Sequence, residues 1–200
     1  MDAQEFTEAV RDAHETPLSR LGSSKWVYAL TGGEMEGDAV EAAWAAEVSA
    51  ARETFEAWVD SEANETAADA FADAAAFAAA HGGDGESEPS PAYEALDSLD
   101  GTAARAGGFL AWTLVAEKTL AQMVGFFVGD ADPSTANTFR ERKSEVQERQ
   151  ETARSVLDEV CTDDDAWADA RTGADDVVEA AYADYVETLE SMGIKPKNVC

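Results

Sequence analysis

The chain has 200 residues, with 42 Asp and Glu against 14 Lys and Arg, a formal net charge of −28, two cysteines and an apolar fraction of 45%. Nucleic-acid binding releases counterions only where Lys and Arg share a face, so this composition excludes it, and two cysteines exclude a disulfide framework or a zinc site. In dilute buffer such a charge repels itself, whereas at about 1 M salt the Debye length is roughly 3 Å and the repulsion is screened; the composition points to the cytosol of a halophilic organism.

The acidic residues are spread over every segment rather than gathered in a tail, and isoleucine occurs once, at Ile194. The core must lean on Trp26, Trp44, Trp58, Trp112 and Trp167 with scattered Phe, Leu and Val, enough for one all-α domain of this length. The acidic start Met1-Asp2-Ala3-Gln4-Glu5 has neither the basic nor the apolar region of a secretory signal, so a cytoplasmic location is expected. Free thiols are expected at Cys161 and Cys200 in a reducing cytosol.

In chain order, a first helix is predicted over 2–15, ended by Pro17 because proline disfavours helical geometry in the residue before it. Leu18, Leu21, Tyr28 and Ala29 continue a helical stripe to Gly32-Gly33. Asp38 with Glu41 three residues on reads as a capping box, and Val40, Trp44, Val48, Ala51, Phe55 and Trp58 then recur at steps of three and four, the strongest amphipathic signal in the chain. An alanine-rich helix over 64–81 carries Phe71 and Phe77 and stops at Gly82-Gly83. The segment 82–90 reads as a flexible acidic linker, and Pro91 opens a short helix.

After a break at Asp100-Gly101, the stretch 102–128 reads as an apolar helix. Its greasiest part, 109–128, has the length of a membrane span but carries Glu117, Lys118 and Gln122, so a buried central helix is expected and no membrane association. Asp132-Pro133-Ser134 is an N-cap followed by proline at the first helical position, opening a helix through Phe139, Val146, Ala153 and Leu157. The basic residues between Arg140 and Arg154 alternate with Glu and suggest i, i+4 ion pairs on an exposed face. Thr162 with Asp165 suggests another cap, and Trp167, Ala170, Ala174, Val177, Ala181, Tyr185 and Leu189 trace the last apolar stripe. Five or six helices with short connections predict an antiparallel bundle of the ferritin-like kind.

Bundles of this kind often hold a di-iron centre between two lone Glu and two Glu-x-x-His motifs, whose i, i+3 spacing puts both ligands on one helix face. The two histidines here, His14 and His81, follow Arg11 and Ala78 at that spacing, so neither completes the motif. Glu47 lies beside the apolar stripe of its helix and has Ala50 at i+3. Glu117, within an apolar helix, needs a partner, for which Arg105, Arg140 and Arg149 are candidates. His81, at a helix C-terminus, fits a capping or solvent-facing role.

The strings Arg20 to Lys25 (RLGSSK), Arg52-Glu53-Thr54-Phe55 with Trp58, Phe126-Phe127-Val128-Gly129-Asp130-Ala131-Asp132, and Lys195-Pro196-Lys197-Asn198-Val199-Cys200 resemble, over nearly the whole chain, haloarchaeal proteins labelled rubrerythrin-like. The resemblance implies a ferritin-like fold, a di-iron site and peroxide reduction, with the ligand motifs on the helix bearing Glu47 and the helix ending at His81. It often implies a second domain whose iron is held by four cysteines, which two cysteines cannot supply. Two functions stand as expectations. The first is a non-catalytic bundle that binds an unknown protein partner or itself and needs no cofactor. The alternative is a metal-dependent redox or peroxide-handling protein using di-iron on an unconventional set, Glu34, Glu47, His81 and Glu117.

Overall fold

The computed structural model describes residues 1–83 and 90–196. Within them the chain is all-helical: α1 (Ala3–Ala13), α2 (Glu15–Leu21), α3 (Ser24–Leu30), α4 (Gly37–Ser61), α5 (Glu65–His81), α6 (Pro91–Asp97), α7 (Thr102–Gly129), α8 (Pro133–Val160) and α9 (Asp164–Ser191). No helix is long and apolar enough to cross a membrane among the described residues. The linker expected at 82–90 lies outside the described residues for 84–89, as do 197–200, which include Cys200.

The excess over five or six helices comes from short pieces near the N-terminus. Asp2 caps α1 with a capping box closed by Glu5, and the chain turns at His14, not at Pro17. Pro17 instead sits in the first turn of α2, where its missing N–H removes no intrahelical bond. The stripe from Leu18 to Ala29 is likewise interrupted at Gly22-Ser23, which separates α2 from α3. Helix α4 starts one residue before Asp38 with Glu36 at the cap and no side-chain cap bond, so Asp38 acts through its charge in the first turn. Asn64 caps α5 by accepting from the Ala67 N–H, Asp132 caps α8 with Pro133 following, and the cap of α9 is Asp163, where Thr162 was expected.

Helix α7 is central, packed along its length by α8 and α9, while α4 and α5 form a second pair and α6 lies on α9. Side-chain size sets these spacings. Gly107 of α7 abuts the Ala170 backbone of α9, and Gly173 of α9 abuts the Ala104 backbone of α7, a reciprocal antiparallel crossing with no room for a Cβ. Against α4 and α5 the same helix is held off by aromatic rings: Phe55 contacts Phe109 and Trp112 with centroids 5.4 and 5.1 Å away, and Trp58 meets Phe71 at 4.9 Å. Four of the five tryptophans are buried, at 1 to 4% exposure, as the stripes require.

Polar contacts lock the ends. The Glu62 carboxylate accepts from the Ala63 and Asn64 N–H groups and from the Thr102 hydroxyl, tying the α4–α5 turn to the start of α7. Arg149 of α8 lies 4.3 Å over the Phe77 ring and pairs with Asp73 of α5 at 3.0 Å, so this cation joins two helices instead of forming the expected i, i+4 pair. His14 Nε2 meets Asp175 of α9 at 2.7 Å, and Arg171 holds the same carboxylate at 2.6 Å.

Candidate functional site

Each of the four residues singled out from sequence has its own surroundings. Glu34 is exposed in the connection between α3 and α4. His81 Nε2 contacts Glu145 of α8 at 2.8 Å and packs edge-on against Phe77, which replaces the expected solvent-facing cap with an interhelical contact. Glu117 accepts from Gln147 Nε2 at 2.8 Å, with Lys143 Nζ at 3.8 Å; its partners are these residues of α8 and none of the expected arginines. No group of three or more His, Cys, Asp and Glu is placed to share a metal ion among the described residues. The di-iron pair implied by the resemblance does not fit these side chains.

Glu47 is the exception, because packing brings other chemistry to it. It sits on α4 one turn after buried Trp44, where α6, α7 and α9 meet. Its carboxyl is pushed up to about 7, first by burial and then by the charge of Asp184, while the facing Tyr93 hydroxyl and Ser90 backbone N–H oppose the shift. Asp184 is itself raised by burial and by Glu187, against the Thr188 hydroxyl that donates to its Oδ1 at 3.1 Å. Tyr93 is held well above the ordinary phenol range by burial and the Glu47 charge, so it remains a neutral donor. Near pH 7 the Glu47 carboxyl therefore exchanges a proton readily.

Two spaces adjoin this carboxyl. An open cleft of about 510 Å³ is walled by apolar Ala29, Leu30, Ala43 and Ala46 together with Glu47, Glu94, Asp184 and Glu187, and among the described residues no Lys, Arg or His lines it. Behind it a cavity of about 20 Å³ is lined by Trp44, Glu47, Tyr93, Trp112 and Thr119, room for one water-sized group. Trp44, which lines this cavity, carries an orphan donor: it is 2% exposed and its indole Nε1 has no hydrogen-bond partner. The neighbouring tryptophan is satisfied, since Trp26 Nε1 donates to Thr119 Oγ1 at 2.8 Å.

Sequence reasoning found Glu47 and missed Asp184, Tyr93 and Trp44. The signal for Asp184 was the same as for Glu47: a carboxylate between stripe residues, here Ala181 and Tyr185, on a helix that buries that face. Tyr93 lies in a seven-residue helix too short for its periodicity to show which face is buried. The remaining thiol among the described residues, Cys161, is buried, and burial with nearby Asp158, Asp163 and Asp169 pushes it up to about 11, which makes it a poor nucleophile. Comparison with protein-family models, with curated proteins and with solved structures finds no match to this chain.

Proposed function

We propose that this chain is a non-catalytic, ferritin-like helical bundle of a halophilic cytosol that acts as a binding protein, and that its cleft takes an organic cation of the linear-amine class. The observation that carries the reading is the Glu47 carboxyl, seated at the junction of α4, α6, α7 and α9 beside Asp184, with no cation among the described residues lining the cleft to neutralise it. An ammonium group at Glu47 and Asp184 would relieve their mutual repulsion, and a methylene chain would lie on the apolar walls formed by Ala29, Leu30, Ala43 and Ala46. Trp44, whose N–H has no partner, lines the same cavity as Glu47, which has room for one water-sized group. Glu94 and Glu187 offer a second cluster of charge for a diamine. The ferritin-like reading rests on the long helices α4, α5, α7, α8 and α9 and on the resemblance. A di-iron function has no comparable support, because the cleft supplies carboxylates without a histidine.

Calorimetric titration of the full chain in molar KCl with a linear diamine tests this. Saturable binding that Glu47→Gln and Asp184→Asn each weaken about tenfold is expected, the loss of one charge-assisted hydrogen bond. Binding should also fade as the pH drops below that at which Glu47 is half protonated. No saturable heat, or equal weakening by a distant surface change such as Glu8→Gln, refutes the reading.

A further inference from the structure

Where α1 packs on α8, two positive charges converge in a chain that is otherwise overwhelmingly acidic. Arg11 Nη2 donates to Gln150 Oε1 at 3.0 Å, and Arg154 Nη2 donates to the same oxygen at 2.8 Å. A neutral amide oxygen thus gathers two guanidinium groups that repel each other. Arg154 has the exposed Glu151 as a partner at 2.6 Å, but among the described residues no carboxylate lies within 4.0 Å of Arg11. The place of Arg11 in the last turn of α1 explains a cation there through the helix dipole. It does not explain why that cation turns to the acceptor Arg154 already uses.

Two further donors at this spot lack partners. Gln150 is 4% exposed and its Nε2 is buried without a hydrogen-bond acceptor, and the buried Nε of Arg154 is in the same condition. Orphan buried donors are uncommon in native proteins and call for an explanation. A cavity of about 200 Å³ is lined by Arg154 and Arg11 together with Gln4, Thr7 and Glu8. Glu8 is the one carboxylate on that wall, and it is engaged by Gln4 Nε2 at 3.2 Å.

We infer that Arg11 and Arg154 form a binding site for a doubly charged tetrahedral oxyanion of the inorganic phosphate type. Two planar guanidinium forks match the oxygen pairs of such an ion, and a dianion would supply Arg11 with the charged partner it lacks among the described residues and share Arg154 with the exposed Glu151. The net charge of the chain repels anions at long range, but at molar salt that repulsion is screened within a few ångströms while direct contacts persist. The site is separate from the cleft at Glu47, and the two stand or fall independently.

The test is phosphate binding to the full chain in molar KCl, followed by calorimetry at a pH where phosphate is a dianion. One phosphate per chain is expected, with affinity reduced about tenfold or more by Arg11→Gln and by Arg154→Gln and unchanged by Arg140→Gln, a surface arginine of α8 hydrogen-bonded to Asn137. Glu8→Gln should strengthen binding, and acetate should bind far more weakly than phosphate. Because Arg154 is partly buried, its variant is checked by its melting temperature; should it unfold, exposed Arg11 carries the comparison, together with the rise in wild-type melting temperature that phosphate produces by mass action. No saturable binding at tens of millimolar phosphate, equal loss in Arg140→Gln, or acetate binding as tightly as phosphate would overturn the assignment.

Discussion

Replacing Gly107 by alanine should force α7 and α9 apart where their backbones cross. A Cβ at Gly107 would lie 2.6 Å from the carbonyl carbon and 2.9 Å from the Cα of Ala170, and nearer still to the carbonyl oxygen. Carbon atoms in contact prefer about 3.5 to 4.0 Å, so α7 and α9 must part by about 1 Å, and backbone cannot swing aside as a flexible side chain would. Overpacking of this kind costs about 1 to 3 kcal/mol and occasionally more, set against a helix-propensity gain of about 1 kcal/mol for Gly to Ala. The clash meets backbone directly, which places the net loss near the upper end, about 2 kcal/mol or a melting temperature lower by about 4 to 8 °C for a domain of this size. Gly125 is the internal control: it lies in the same helix with nothing within 4 Å of its would-be Cβ. Gly125→Ala should raise the melting temperature by a few degrees. Gly173→Ala should behave like Gly107→Ala, and the double variant should cost less than the two losses together, because both clashes are relieved by one separation. Thermal unfolding followed by circular dichroism in molar KCl reads all four. A Gly107→Ala variant as stable as Gly125→Ala would refute the close crossing.

Three other outcomes follow from the same geometry. Glu47 is raised in the folded state, so its contribution to stability is complete below about pH 4.5 and is lost as the pH climbs through about 7, a difference of up to about 3 kcal/mol; urea unfolding should show Glu47→Gln gaining on wild type at pH 8 but not at pH 5, and parallel pH profiles would count against it. Thr119→Val keeps the shape but leaves the Trp26 indole N–H without its acceptor, for a loss of about 1 to 3 kcal/mol in the same assay. The net charge of −28 predicts a melting temperature that climbs steeply from dilute to molar KCl, and one indifferent to salt would remove the halophilic reading.

Helix content and the identity of the buried faces were legible in the residues, because both are local. Steps of three and four through Val40, Trp44, Val48, Ala51, Phe55 and Trp58 specify one face of one helix whatever that face meets, and the caps at Asn64 and Asp132 act within a single turn. Where the reading missed locally, at Pro17, Asp38 and Thr162, the boundary shifted by one to three positions, and at Thr162 the adjacent Asp163 does the capping. The short helix opened by Pro91 was legible from its proline, whereas the division between α2 and α3 escaped because seven residues complete barely two turns, too few for a period to declare itself.

The sequence by itself determined an all-helical chain, its aromatic core and a strongly acidic composition. Only the tertiary structure decided what its individual carboxylates do. Glu47, Glu62 and Glu117 look alike in sequence, each a Glu in or beside an apolar helical run. Yet Glu62 is satisfied by two backbone N–H groups and a hydroxyl, Glu117 is matched by Gln147 and Lys143, and Glu47 faces Asp184 and rises to about 7. Helix periodicity depends on neighbours three and four residues away, whereas the charge state of a carboxyl depends on burial and on groups brought from distant parts of the chain.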